Sequence, residues 1–181
     1  MIVVPGNWKT LESVRKYCRE ALEVCEDQVV DPRGKHTKFS LVKMAAGICV
    51  LPVDDSGNVY LTCEFRYALG RDSVEAVGGV VEQGEHPSDA ARRELKEELG
   101  IDAEQLHYLG HVDPVTSIIS SPVHLFVARD LGYGNSKQDH HEEISMMKLS
   151  LEAAARMVGR NEITHAESCT LILRTYLQAH L

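Results

Sequence analysis

No apolar run in the sequence approaches the roughly 20 residues that a membrane-spanning helix needs, so no membrane partner is expected. The opening residues, Met1 to Lys9, lack the basic and apolar regions of a signal peptide. Cysteine is sparse and unordered: Cys18, Cys25, Cys49, Cys63 and Cys169 form an odd, scattered set of five with no CxxC pair. Such spacing suits neither a disulfide framework nor a zinc site, and reads as free thiols buried in a reducing compartment. These absences predict a cytoplasmic protein. Positive charge is short as well, with 19 Lys+Arg against 27 Asp+Glu and a formal net charge of −8. A nucleic-acid binder usually presents a basic face, so no nucleic-acid partner is expected. An acidic surface does not draw anions inward either; a phosphate-bearing substrate would have to be met by local Lys or Arg or by a bound cation.

What is present suits one folded domain. The chain has 181 residues, 44% of them hydrophobic and 25% charged, which is enough apolar matter for a core and too much for a disordered chain. There is no internal repeat, low-complexity tract or long linker. The apolar run Ala45–Val53 is followed by the turn cluster Asp54-Asp55-Ser56-Gly57-Asn58 and by VYLTCEF, in which Val59, Leu61, Cys63 and Phe65 alternate with polar neighbours. Period-two alternation about such a turn predicts a β-hairpin with one face buried. Residues His86 to Leu99 read as a helix, started by Pro87 and Ser88 and closed by Gly100. Strands are expected at 105–112 and 122–129. Two helices end the chain, one from near Ser150 to just before Gly159, the other from near Thr164. In the second, Cys169, Ile172, Leu173, Tyr176 and Leu177 form a stripe expected to face the core. The segment TLESVRKYCREALEVC fits a helix by propensity or a pair of strands, and its residues alone do not choose.

The chemistry concentrates in GGVVEQGEHPSDAARRELKEELGI. At about 100° per residue, Glu94, Glu97 and Glu98 share one helix face, beside an apolar stripe of Ala91, Leu95 and Leu99. Like charges so placed cost an isolated helix a few tenths of a kcal/mol per pair. Carboxylate oxygens held on a rigid face suit hard cations such as Mg²⁺ or Mn²⁺. Gly78, Gly79 and Gly84 mark a loop before the helix where backbone turns sharply or approaches something closely. Glu85 and Arg93 are placed to pair, holding loop to helix.

In order, Gly79, five residues, Glu85, seven residues, Arg93-Glu94-Leu95, then Glu97-Glu98, Gly100 and Ile101 match the whole Nudix signature without departure. The chain therefore resembles the Nudix hydrolases. The resemblance implies an α/β/α sandwich around a mixed sheet and hydrolysis of a diphosphate bond with Mg²⁺ or Mn²⁺. It implies Glu94 and Glu98 as metal ligands, Glu97 as a ligand or water-mediated partner, the Gly78 carbonyl facing the metal, and Arg93 with Glu85 as an orienting pair.

The flanks extend the likeness to ADP-ribose and nucleotide-sugar pyrophosphatases. Residues Asn7 to Phe39 resemble the N-terminal extension of that group, which is built of strands and helps form a homodimer. This tips the ambiguous segment toward strands and divides the chain into a 1–44 extension and a 45–181 hydrolase domain. EFRYALGRDSVEAVGG resembles the segment before the signature, making Arg66 a phosphate-binding candidate and Glu75 a substrate or structural contact. DHHEEISMMKLSLEAA resembles the acidic loop that often carries the catalytic base, with Glu142 the first candidate and Glu143 the second. Phe39 stands where relatives stack a ring on the nucleobase, and Trp8, the lone tryptophan, is the other candidate. Two departures stand out: Val77 replaces a usual proline, and VTSIISSP lacks the glycine turn and acidic residue of a substrate-contacting loop. The expected substrate is ADP-ribose, an ADP-sugar or a related nucleoside diphosphate sugar. Dinucleoside polyphosphates or free nucleotides are the alternative, and a non-catalytic nucleotide sensor a further one.

Overall fold

The structure, a computed structural model, describes residues 7–134 and 144–180. Its contacts divide the chain into two units, Met1–Ala45 with Asp113–Ser121, and Ala46–Val112 with Pro122–Leu181.

In the first unit, β1 (Lys9–Arg19), β2 (Leu22–Val30) and β3 (His36–Met44) form an antiparallel sheet. The N-terminal segment is thus strand, not helix. Cross-strand ion pairs lock the register: Arg15 to Glu23 at 2.9 Å, Lys38 to Glu26 at 3.1 Å and Lys16 to Glu26 at 3.4 Å. Asp31 shapes the β2–β3 turn by accepting the Arg33 and Lys35 N–H groups, both at 2.8 Å. A two-residue strand, β9 (Ile119–Ser120), joins β3 in parallel, so the segment that departs from the family pattern extends this sheet. Every residue of β1 is exposed.

In the second unit a mixed sheet runs in the order β7 (Val77–Val80), β4 (Gly47–Pro52), β10 (Val123–Tyr133), β8 (Ile101–Val112). Strands β4 and β10 are parallel and the other pairs antiparallel. A smaller antiparallel sheet holds β11 (Ser145–Ser150), β5 (Asn58–Arg66) and β6 (Arg71–Glu75). Among the described residues three helices complete the unit, α1 (Pro87–Leu99), α2 (Leu151–Gly159) and α3 (Ala166–His180).

Strand β4 explains the layering. Ile48 and Val50 pack with Ala90, Ala91 and Leu95 of α1, while Cys49 and Leu51 pack on the other side with Ala154 of α2 and Leu171 and Ile172 of α3. Alternate side chains of a strand point to opposite faces, so a strand buried on both is apolar throughout. The result is the expected α/β/α sandwich.

Three expectations need correction. Strands β4 and β5 exist but form no hairpin: both edges of β4 are taken by β7 and β10, and only the bridge Val53–Val59 joins it toward β5. In α3 the buried face is Ser168, Leu171, Ile172 and Thr175, whereas Leu173 and Leu177 are exposed. The thiols are free, but Cys18 lies on the surface, because it belongs to the uncovered β1.

Candidate active site

The helix that carries the glutamates is firmly bounded. The His86 ring accepts the Ser88 N–H at 3.3 Å, Pro87 takes the first turn where no donor is needed, and Gly100 closes the helix at φ 65°. With Ala90, Ala91 and Leu95 buried against the sheet, Glu94, Glu97 and Glu98 fall on the flank, all partly exposed.

Arg93 ties loop to helix. Its Nε donates to Glu85 Oε1 at 3.0 Å, and its Nη2 to Glu85 Oε2 at 3.1 Å and the Val80 carbonyl at 3.0 Å. Its Nη1 reaches Glu94 Oε1 at 2.6 Å and Glu97 Oε2 at 3.4 Å. Glu85 also accepts the Glu82 N–H at 3.0 Å, and these bonds, that of Arg93 first, hold its carboxyl below the usual carboxylate range. Gly79 lies directly beneath Glu94: a Cβ there would overlap the Glu94 carboxylate, so glycine is the residue that lets strand and carboxylate share this space.

Among the described residues, no three carboxylates, imidazoles or thiolates are already gathered around a cation position. The donor set nevertheless fits one in kind. Burial pushes the Glu94 carboxyl up, and the charges of Glu97 and Glu85 add to the push against the opposing Arg93. A half-buried carboxylate among like charges is what a hard divalent cation relieves.

A second polar network lies next to the first. Arg66, at the end of β5, donates through Nη2 to Glu75 Oε2 at 2.7 Å and through Nε to Glu75 Oε1 at 3.3 Å, and also pairs with Glu64. Burial works against the Arg66 charge, but Glu75, Glu64 and Glu98 more than restore it. Glu75 is almost fully buried. Burial alone would raise its carboxyl, yet Arg66 and the neighbouring His165 bring it below the ordinary value. His165 and Ser168, at the start of α3, complete the network: Ser168 Oγ accepts the Ala76 N–H at 2.8 Å and meets His165 Nδ1 at 2.8 Å. Sequence reasoning passed over His165, Glu167 and Ser168, which stood out only as part of a helix start; a histidine flanked by a carboxylate two residues on was the available signal.

The remaining candidates separate. Trp8 and Phe39 lie in the first unit, half-exposed, with ring centroids 6.4 Å apart in an edge arrangement. Glu142 and Glu143 lie outside the described residues. Gly78 pairs with Cys49 across β4 and β7, and Val77, at the proline position, is fully buried against Val50.

The glycines Gly78 and Gly79, expected in a loop, lie in strand β7, and only Gly84 falls in the loop before α1. A mixed sheet between helices, with this glycine-bearing strand leading through a short loop to a glutamate-bearing helix, defines a pyrophosphohydrolase of the Nudix class. The NUDIX domain profile matches residues 43–168, and the chain belongs to that family. It is 32% identical to an ADP-ribose pyrophosphatase of Bacillus subtilis, over 94% of this chain and 92% of that one. An ADP-ribose pyrophosphatase of Mycobacterium tuberculosis is 27% identical over 94% of this chain and 84% of its own. In fold it is similar to the crystal structure of an ADP compounds hydrolase, with a TM-score of 0.82 and 20% identity over 96% of this chain and 95% of that one. Nudix hydrolases generally need divalent metal ions. Among the described residues no helix is long and apolar enough to cross a membrane.

Proposed function

We propose that this chain hydrolyses the diphosphate bond of ADP-ribose, an ADP-sugar or a related nucleoside diphosphate sugar, using Mg²⁺ or Mn²⁺. The reading is carried by the complete signature, with Arg93 joining Glu85 and Glu94, in a chain that aligns over nearly its whole length with an ADP-ribose pyrophosphatase. Water adds across the bridging oxygen: one phosphorus takes its oxygen, the other departs as a phosphate monoester, and the water's proton goes to a base. The products are a nucleoside monophosphate and a sugar phosphate.

Glu94 and Glu98 hold the metal, with Glu97 a further or water-mediated partner and the Gly78 carbonyl alongside. The bound cation neutralises diphosphate charge and lowers the pKa of the attacking water. Glu142 accepts the water's proton, Glu143 being the next candidate. Arg93 and Glu85 keep the carboxylates in register. Arg66 contacts a phosphate, steadied by Glu75, and Phe39 or Trp8 stacks on the base. Residues 1–44 form an extension through which two copies pair, and the enzyme works in the cytoplasm.

A panel of ADP-ribose, ADP-sugars, UDP- and GDP-sugars, dinucleoside polyphosphates and free nucleotides, assayed with each metal and read by product mass, tests the reading. Monophosphate plus sugar phosphate is expected; turnover of dinucleoside polyphosphates or free nucleotides alone would move the substrate class. Glu98→Gln should lower kcat by more than the roughly 10–100-fold typical of residues that merely support a metal ligand, and unchanged turnover would remove Glu98 from the metal.

A further inference from the structure

Each nitrogen of the Arg66 guanidinium lies against a carboxylate, Nη1 on Glu64 and Nε and Nη2 on Glu75. A guanidinium has five N–H groups, so one on each Nη is left for a phosphate, and Glu75 and Glu64 fix the direction in which those two point. What loosens the Glu75 grip therefore matters, and Glu75 Oε2, the oxygen bonded to Arg66 Nη2 at 2.7 Å, also faces His165 Nδ1 at 3.6 Å. We propose that His165 is a positioning residue for Arg66: by sharing Oε2 of Glu75, it sets how freely the guanidinium can turn to substrate phosphate. The proposal rests on the reading of Arg66 as a phosphate contact.

The hydrogen bonds allow His165 two states. Its Nε2 faces Glu167 Oε2 at 2.9 Å and so carries a proton in both. With a neutral ring, Nδ1 accepts the Ser168 hydroxyl proton. With an imidazolium, Nδ1–H donates to Ser168 Oγ, which already accepts the Ala76 N–H and can turn its own proton toward Cys49 Sγ at 3.9 Å. Neither state strands a buried donor, so the network tolerates a change of charge. The charged groups facing the ring are Glu167 on α3, Glu75 on β6 and Arg66 on β5; burial lowers the imidazole, but the two carboxylates outweigh it and hold it above its ordinary value. Along the row Glu64, Arg66, Glu75, His165, Glu167, a protonated ring leaves one surplus negative charge and a neutral ring two. The protonated ring takes part of the Glu75 charge and makes the neighbourhood less hostile to a diphosphate. The neutral ring leaves Glu75 to Arg66 alone.

The test is steady-state kinetics on ADP-ribose with saturating Mg²⁺ from pH 6 to 9. In the wild type KM should rise as His165 loses its proton, beyond any rise seen in His165→Asn. At the acid end His165→Asn should raise KM on the order of fivefold to tenfold, with kcat changed far less. Glu167→Gln keeps the ring but removes its main support, and should move the wild-type rise in KM to lower pH. An equal KM for wild type and His165→Asn across the range would overturn the proposal. If His165→Asn fails to fold, Glu167→Gln decides, and an unmoved pH profile there overturns it. Arg66→Ala separates the two layers: a raised KM with Arg66→Ala but not with His165→Asn removes His165 alone, whereas a wild-type KM with Arg66→Ala removes the arginine reading and this inference with it.

Discussion

At the residue scale the site depends on one missing side chain. Gly79 leaves room for the Glu94 carboxylate, and a Cβ would occupy the space now held by the end of that side chain. The end of a glutamate can swing aside, whereas backbone cannot, so Gly79→Ala should displace Glu94 without unfolding the strand. We expect the variant to melt near the wild-type temperature yet lose most of its turnover, on the order of the 10–100-fold range for residues that orient metal ligands. Circular dichroism melting beside an initial-rate assay checks this; equal losses of stability and activity would mean that the glycine serves the sheet rather than the carboxylate. The carboxylate ridge and the Glu85–Arg93 pair were legible in the sequence because they follow from helical spacing and one loop. The Glu75–His165 approach was not, because its partners come from β6 and the start of α3, far apart in the chain and joined only by tertiary folding.

At the element scale, α1 was readable end to end because its caps are local: His86 and Pro87 at one end and Gly100 at the other. Gly100 sits at φ 65°, where its N–H meets the Lys96 carbonyl at 3.1 Å. A residue with a Cβ pays roughly 1–2 kcal/mol in that region, so Gly100→Ala should destabilise the protein by about that much, read as a shift in denaturant midpoint at constant slope. Partner choice was not readable. The turn Asp54–Asn58 reverses the chain, its Asp54 carboxylate accepting the Ser56 and Asn58 N–H groups at 3.0 and 2.8 Å. A reversal does not oblige the flanking strands to pair, and β4 instead satisfies both edges with distant β7 and β10. In α3 the helical period was right and the stripe partly so: Ile172 is buried and Cys169 and Tyr176 pack against the core, but Leu173 and Leu177 are exposed. Ser168 and Thr175 are polar yet buried, because Thr175 Oγ1 donates to the Leu171 carbonyl at 2.8 Å and Ser168 serves the Ala76 N–H. A stripe drawn from apolar residues alone misses positions whose polarity is satisfied internally.

At the scale of the whole molecule, the first unit raises a question of what covers it. Its outer strand β1 is exposed along its full length, with Leu11 at 55% and Tyr17 at 50% of their surface open. Registry puts Tyr17 beside Val24 and Val24 beside Val42, an apolar row across three strands on one face. A thin sheet with little buried matter of its own gains stability when a partner covers such a row, and pairing of two copies supplies one without further components. If this is so, unfolding is coupled to dissociation and the melting temperature must rise with protein concentration. Sedimentation equilibrium should give twice the chain mass at micromolar concentration. Tyr17→Asp, which sets a charge at the outer end of the row, should shift the protein toward single chains and remove the concentration dependence of melting. A wild type that sediments as one chain, with a melting temperature indifferent to concentration, would leave the row uncovered in solution and end the dimer reading, while leaving the chemistry argued from Glu94, Arg93 and Arg66 untouched.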